Sequence, residues 1–302
     1  MRTIYLLILM CISMQVVSQV TTSKSEKVPI NMVKYKKSAV DENIPIVADT
    51  FVNRYALIIG NEDYSSFQNS THTEINVIYA KNDAKIFKEY CIKTLGIPVM
   101  NVIYIEDGTA GIITQGLNKL NKLIKLANGA AEVFFYYAGH GLPDENTKEP
   151  YLIPVDVNGT DLSAAIKMST VYDKLTEFPS QRITVFLDAC FSGDGRNQGL
   201  LAARAVKIKP KENLLNGNLV VFSAVNGEQS ALPYKEQGHG LFTYFLLKKI
   251  QETKGSVSYD DLSKYIEKEV GVNSVLINNK EQTPQVLYRP ALESIWETWK
   301  LR

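Results

Sequence analysis

An excess of charge of either sign is missing from this chain: 33 Lys and Arg residues stand against 32 Asp and Glu, leaving a net charge of +1 over 302 residues. A general electrostatic attraction to nucleic acid or to an anionic membrane is thereby excluded as the basis of its function. Cysteine is scarce. Of the three, Cys11 lies in an N-terminal apolar run, and the two that remain, Cys91 and Cys190, are too few for a disulfide-stapled scaffold. Beyond the first twenty residues no run is long and apolar enough to span a bilayer. Internal repeats and low-complexity tracts are absent as well. Histidine is equally rare, and only His72, His140 and His239 occur.

Arg2 precedes the apolar run IYLLILMCISMQVV, and Val16 and Ser18 stand at the −3 and −1 positions of a cleavage site before Gln19. This predicts a secretory signal peptide over 1–18 and a secreted or periplasmic protein, with no membrane contact once the signal is cut. Met10 is too large for the usual residue before a lipidated cysteine, which argues against lipidation at Cys11. Residues 19–50 are polar, lysine-rich and without periodicity, and read as a linker or pro-segment. One folded domain is expected over 51–302.

From Phe51 the pattern changes. YALIIG (55–60), NVIYIED (101–107), AEVFFYYAGHG (131–141), ITVFLDAC (183–190) and LVVFSA (219–224) read as strands. NDAKIFKEYCIKTLG (82–96) carries Ala84, Phe87, Cys91 and Leu95 along one face and predicts a helix with Cys91 in the core. Further helices are expected over 114–129, 240–252 and 258–270. Strands apolar on both faces belong to a parallel sheet covered by helices, and strand alternates with helix as in crossover units. The expected fold is an α/β three-layer sandwich around a mostly parallel six-stranded sheet. In such sheets ligands bind beyond the carboxyl ends of the strands.

Two turns at that edge carry reactive side chains. His140 follows the third strand and is flanked by Gly139 and Gly141, which permit a tight turn and a close backbone approach. Cys190 stands at the matching end of the fourth strand, next but one to Asp188. Imidazole beside thiol lowers the thiol pKa or serves as base, and makes the sulfur a nucleophile. The plain alternative is a buried cysteine and an ordinary glycine turn. His239, after the polar YKEQ, reads as a helix-start residue, and His72 as solvated.

YYAGHG followed by DACFSG resembles the caspase-like cysteine peptidases, most closely the metacaspase and paracaspase branch in a bacterial-type secreted form. His140 and Cys190 are 190 − 140 = 50 residues apart, the caspase separation. RYALIIGNEDY at the first strand and QTPQ (282–285) also resemble that family, so the likeness runs from about Arg54 to Pro290. The resemblance implies a cysteine endopeptidase with His140 as general base, Cys190 as nucleophile, and the backbone N–H groups of Gly141 and Cys190 as an oxyanion hole. It divides the domain into a large-subunit-like part (51–195), a basic connection (196–213) and a small-subunit-like part (214–302).

The same resemblance bears on specificity. Caspases proper hold aspartate with arginines, one of them between the first strand and first helix, but no arginine occurs here between Gly60 and Asp83. Metacaspases and paracaspases hold arginine or lysine with acids, and the matching positions here are Asp83, Asp188 and Glu228. Their plain alternatives are a charge favouring a helix N-terminus, a carboxylate tied to backbone N–H groups at a strand end, and a solvated loop charge. The implied partners are proteins or peptides with exposed Arg or Lys. Two departures stand out. Phe191 follows the nucleophile where many metacaspases have histidine, and Asp144, Asp156, Asp161 and Asp173 are isolated where calcium-dependent relatives carry paired aspartates. Neither a metal nor an organic cofactor is expected. Competing classes are a catalytically inactive caspase-fold binding or scaffold protein, and a thiol redox sensor using Cys190.

Overall fold

In the computed structural model the described residues are 37–68, 76–191, 215–227 and 229–302. Eleven strands are found among them: β1 (Arg54–Gly60), β2 (Val102–Glu106), β3 (Glu132–Ala138), β4 (Gly141–Pro143), β5 (Pro150–Leu152), β6 (Ile166–Lys167), β7 (Arg182–Asp188), β8 (Leu219–Ser223), β9 (Pro233–Tyr234), β10 (His239–Gly240) and β11 (Gln285–Tyr288). Five helices accompany them: α1 (Ala80–Lys93), α2 (Ala110–Leu126), α3 (Met168–Thr176), α4 (Leu241–Thr253) and α5 (Tyr259–Asn278). The main sheet has six strands in the order β11-β8-β7-β3-β1-β2. Five run parallel, and β11 alone is antiparallel, against β8. The expected α/β sandwich with a mostly parallel six-stranded sheet is the observed architecture.

The layering follows from the period-2 alternation of strands that are apolar on both faces. Ala56, Ile58, Phe134, Tyr136, Phe186 and Phe222 face one layer, with Ala84 and Phe87 of α1, Leu246 of α4 and Leu262 of α5. Leu57, Ile59, Phe135, Val185 and Val221 face the other, with Leu117 and Leu120 of α2 and Val171 and Leu175 of α3. Cys91 lies fully buried in the first layer, as the helical pattern requires, and burial pushes its thiol pKa well above the usual value. Among the described residues no helix is long and apolar enough to cross a membrane.

The second half of the segment read as a linker or pro-segment (19–50) is packed on the domain. Residues 38–51 form a strap packed on α1 and α4. Val40 is fully buried and its carbonyl accepts from Tyr90 Oη at 2.9 Å. Gln251 Nε2 donates to the carbonyls of Ala39 and Glu42, Thr94 Oγ1 donates to Pro45 O, and Val47 N donates to Lys93 O. The segment is polar because its backbone, more than its side chains, makes the contact, so no hydrophobic period marks it.

Candidate active site

Register builds the site. Along the β3–β7 pair Ala138 lies opposite Asp188. Two residues further on, the chains reach His140 and Cys190 at the same edge of the sheet. Each is about 4% exposed. The two turns touch: a Cβ added at Gly141 would lie 2.7 Å from Cys190 O and 2.7 Å from the Phe191 ring. Only glycine admits that approach. Gly139 meets a similar limit, since a Cβ there would lie 2.7 Å from Tyr137 Oη.

His140 is pinned through its backbone. Its N–H donates to Tyr64 Oη at 2.9 Å, and its carbonyl accepts from Tyr137 Oη at 2.7 Å and from Ile153 N at 3.0 Å. The Tyr64 ring lies against the imidazole with centroids 4.6 Å apart. Burial raises the pKa of both phenols, so each remains a neutral O–H donor at any working pH. Asn61, at the end of β1, completes the support. Its N–H donates to Ala138 O at 2.8 Å, its Oδ1 accepts from Gly108 N at 2.8 Å, and its Nδ2 donates to Ile153 O at 3.3 Å. Asn61 and Tyr64 were not foreseen as site residues, although both stand in RYALIIGNEDY.

The Cys190 sulfur accepts a hydrogen bond from Ala231 N at 2.7 Å, and its S–H faces Ala231 O at 3.9 Å. The connection from β8 to β9 therefore leans on the candidate nucleophile.

The acids lie beneath the start of α4. Asp83 and Asp188 are fully buried. Gly240 N donates to both oxygens of Asp83 at 3.2 and 3.0 Å, and Thr243 N and Oγ1 donate to Asp188 Oδ2 at 3.3 and 2.6 Å. Gly240 is the N-cap of α4 and has no side chain to cap with. Two carboxylates from other elements thus satisfy N–H groups that a capping box would satisfy locally. Asp83 also lies in the first turn of α1. The structure brings Asp83 and Asp188 to one helix end, and Glu228 lies outside the described residues.

His239 holds more than a helix start. It is fully buried, with Nδ1 at 2.7 Å from Asp83 Oδ1 and Nε2 at 2.8 Å from Asp41 Oδ1 of the strap. Burial alone would lower its pKa, but the hydrogen bonds and charges of Asp41 and Asp83 outweigh that and hold it at about 9. With a carboxylate on each ring nitrogen, both nitrogens donate and the ring is an imidazolium. His72 lies outside the described residues.

Residues 53–292 match the Peptidase_C14 family model, described as the caspase domain. The chain belongs to the caspase-domain family. A "probable protease" of a Desulfuromonadales bacterium is 23% identical over 199 residues, covering 60% of this chain; the match spans 24% of that protein's length. Protein GSU0716 of Geobacter sulfurreducens shares the fold at 16% identity and a TM-score of 0.59, over 82% of this chain and 97% of that one. Caspase-1 of Spodoptera frugiperda does so at 12% identity and a TM-score of 0.52, over 82% and 90%. The fold of this caspase domain is thus the one the YYAGHG and DACFSG runs led us to expect.

Proposed function

We propose that the protein is an exported cysteine endopeptidase that cuts after arginine or lysine, with Cys190 as nucleophile and His140 as general base. The observation that carries this reading is the β3–β7 register, which ends the two strands level at Ala138 and Asp188, each two residues before one of these side chains. In the reaction His140 takes the thiol proton and the sulfur attacks the scissile carbonyl, forming an S–C bond. The N–H groups of Gly141 and Cys190 receive the oxyanion. Collapse breaks the C–N bond as His140 returns its proton to the leaving amine. Water, deprotonated by His140, then opens the thioester and frees the sulfur.

Basic specificity is supported by Asp83 and Asp188, buried acids at one helix end, the second of them two residues before Cys190. A guanidinium between carboxylates is held in fixed geometry by paired hydrogen bonds. The test is a panel of fluorogenic peptides ending in Arg, Lys, Asp or Asn, assayed with the mature chain and with Asp188→Ala. Arg and Lys peptides are expected to be cut and the others left intact. Asp188→Ala should lower kcat/KM on Arg peptides by about 10²-fold or more, because it removes one side of a buried charge pair worth about 3–5 kcal/mol. Cleavage after Asp with none after Arg would refute the acidic pocket.

Self-processing belongs to the same reading. The basic connection carries Arg196, Arg204, Lys207, Lys209 and Lys211, all outside the described residues. It begins close in sequence to Cys190 and is long for a connection in a compact domain. Cleavage after one of these residues is expected in the wild-type chain and not in Cys190→Ala, read by mass spectrometry of the two purified proteins. A cut in both, or an intact chain with full activity, would remove self-processing from the account.

A further inference from the structure

The QTPQ run has a structural role that the chemistry above leaves unused. Gln282 is fully buried. Its Oε1 accepts from Leu232 N at 2.8 Å and its Nε2 donates to Ala224 O at 3.0 Å. Those partners, one N–H and one carbonyl, fix which way the amide points. The Gln282 backbone N–H donates to Ser274 Oγ of α5 at 3.0 Å. Next door, Thr283 N donates to Gln229 Oε1 at 2.7 Å, and Gln229 Nε2 donates back to Thr283 Oγ1 at 3.1 Å. Two consecutive residues therefore clasp the β8–β9 connection at both ends and near its middle. Ala224 is anchored in turn to β7, its N–H donating to Leu187 O at 2.8 Å, three residues before Cys190. Ala231, between Gln229 and Leu232, is the residue whose N–H meets the Cys190 sulfur.

We propose that Gln282 is a positioning residue of the active site: by clasping Ala224 and Leu232 it sets where Ala231 stands against the Cys190 sulfur, and so governs access to that sulfur and the wall beside which a peptide is held. This rests on Cys190 being the nucleophile. Only a neutral amide of this length supplies the donor and the acceptor together. Glutamate keeps the acceptor for Leu232 and loses the donor for Ala224. Methionine keeps the shape and loses both. Because the clasp acts on the wall beside the sulfur and not on the acids under α4, its loss affects Arg and Lys peptides equally.

The experiment compares wild type, Gln282→Met and Gln282→Glu by two readouts on the folded chain. One is kcat and KM on the peptide panel. The other is the rate of iodoacetamide alkylation at Cys190 and at Cys91, mapped by peptide mass spectrometry. Cys91 is fully buried in the core, so it reports global opening, whereas release of the clasp bares Cys190 alone. Gln282→Met should alkylate at Cys190 about tenfold faster with Cys91 unchanged, while kcat/KM falls by about 10²-fold on Arg and Lys peptides alike. Gln282→Glu should fall between it and wild type. An unchanged Cys190 rate, or a parallel rise at Cys91, overturns the proposal. Turnover by a Cys190→Ala variant, or none by wild type, sinks the peptidase reading instead, and the alkylation contrast still decides the clasp.

Discussion

Cys190→Ala and His140→Ala are each expected to reduce turnover of the best panel peptide by about 10⁴-fold or more, the loss that the proposed roles of nucleophile and base require. The two effects do not add, since the pair acts as one unit. Both variants should fold. The bonds that pin His140 run through its backbone N–H and carbonyl, to Tyr64, Tyr137 and Ile153, and these survive truncation of the side chain. Cys190 sits at a turn, and its loss as alanine removes no buried charge, only the acceptor of the Ala231 N–H, at a cost of about 1–3 kcal/mol. Measured as kcat/KM beside a thermal melt, the expected signature is lost chemistry in a chain that still folds, with a nearly unchanged melting temperature for His140→Ala and a modest fall for Cys190→Ala. A His140→Ala variant retaining a tenth of wild-type activity would mean that another group takes the thiol proton.

His239 should show the opposite signature. Its ring carries a charge between Asp41 and Asp83, with the Tyr244 ring at 6.4 Å as the other titratable group against it. Burial raises the Tyr244 pKa, so that phenol stays neutral in the window considered. The folded pKa of about 9 lies above the ordinary histidine value of 6.5. The native state therefore holds its proton where the unfolded chain has begun to lose it. The stability this contributes is fully present below about pH 6.5 and is lost as pH rises through about 9, to an extent of about 3 kcal/mol. His239→Gln removes that dependence, so the difference between the two melting curves from pH 6 to 10 isolates it. His239→Ala leaves the buried Asp83 and the partly buried Asp41 without their cation and should cost about 3–5 kcal/mol. Asp41→Asn should lower the midpoint of the fall, since one of the two carboxylates that raise the pKa is gone. A wild-type melting temperature that is flat between pH 6.5 and 9.5 would show that the ring is neutral when buried.

The sheet and the two reactive turns were legible in the sequence because each is written locally. Tyr55 to Gly60, Val133 to Ala138 and Ile183 to Leu187 are apolar on both faces, and only a covered parallel sheet buries both faces of a strand. His140 and Cys190 stand just past two such runs, so a shared sheet edge followed from strand order alone. Short elements were less visible. α3 spans nine residues, MSTVYDKLT, with polar and β-branched positions that carry little helical preference. β11 has four half-buried residues, only the first of which, Gln285, falls in the QTPQ run, and the sequence reading has no strand there. The docking of residues 38–51 left no hydrophobic period to find.

What the sequence by itself determined is thus the fold class, the family, and the placing of one histidine and one cysteine just past two strands at the same sheet edge; that the two strands are neighbours is seen in the sheet order. The tertiary structure alone decided how the remaining polar groups are spent. Asp41 meets His239 from 198 positions away, and Gln282 meets Leu232 from 50. Asp83 and Asp188, read as pocket acids, also stand as caps for a helix that begins on a glycine. The physical reason is common to all of them. A buried N–H or charge must find a partner wherever packing places it, and that place is set by how α1, α4, the strap and the β8–β9 connection come together, which no local pattern of residues records.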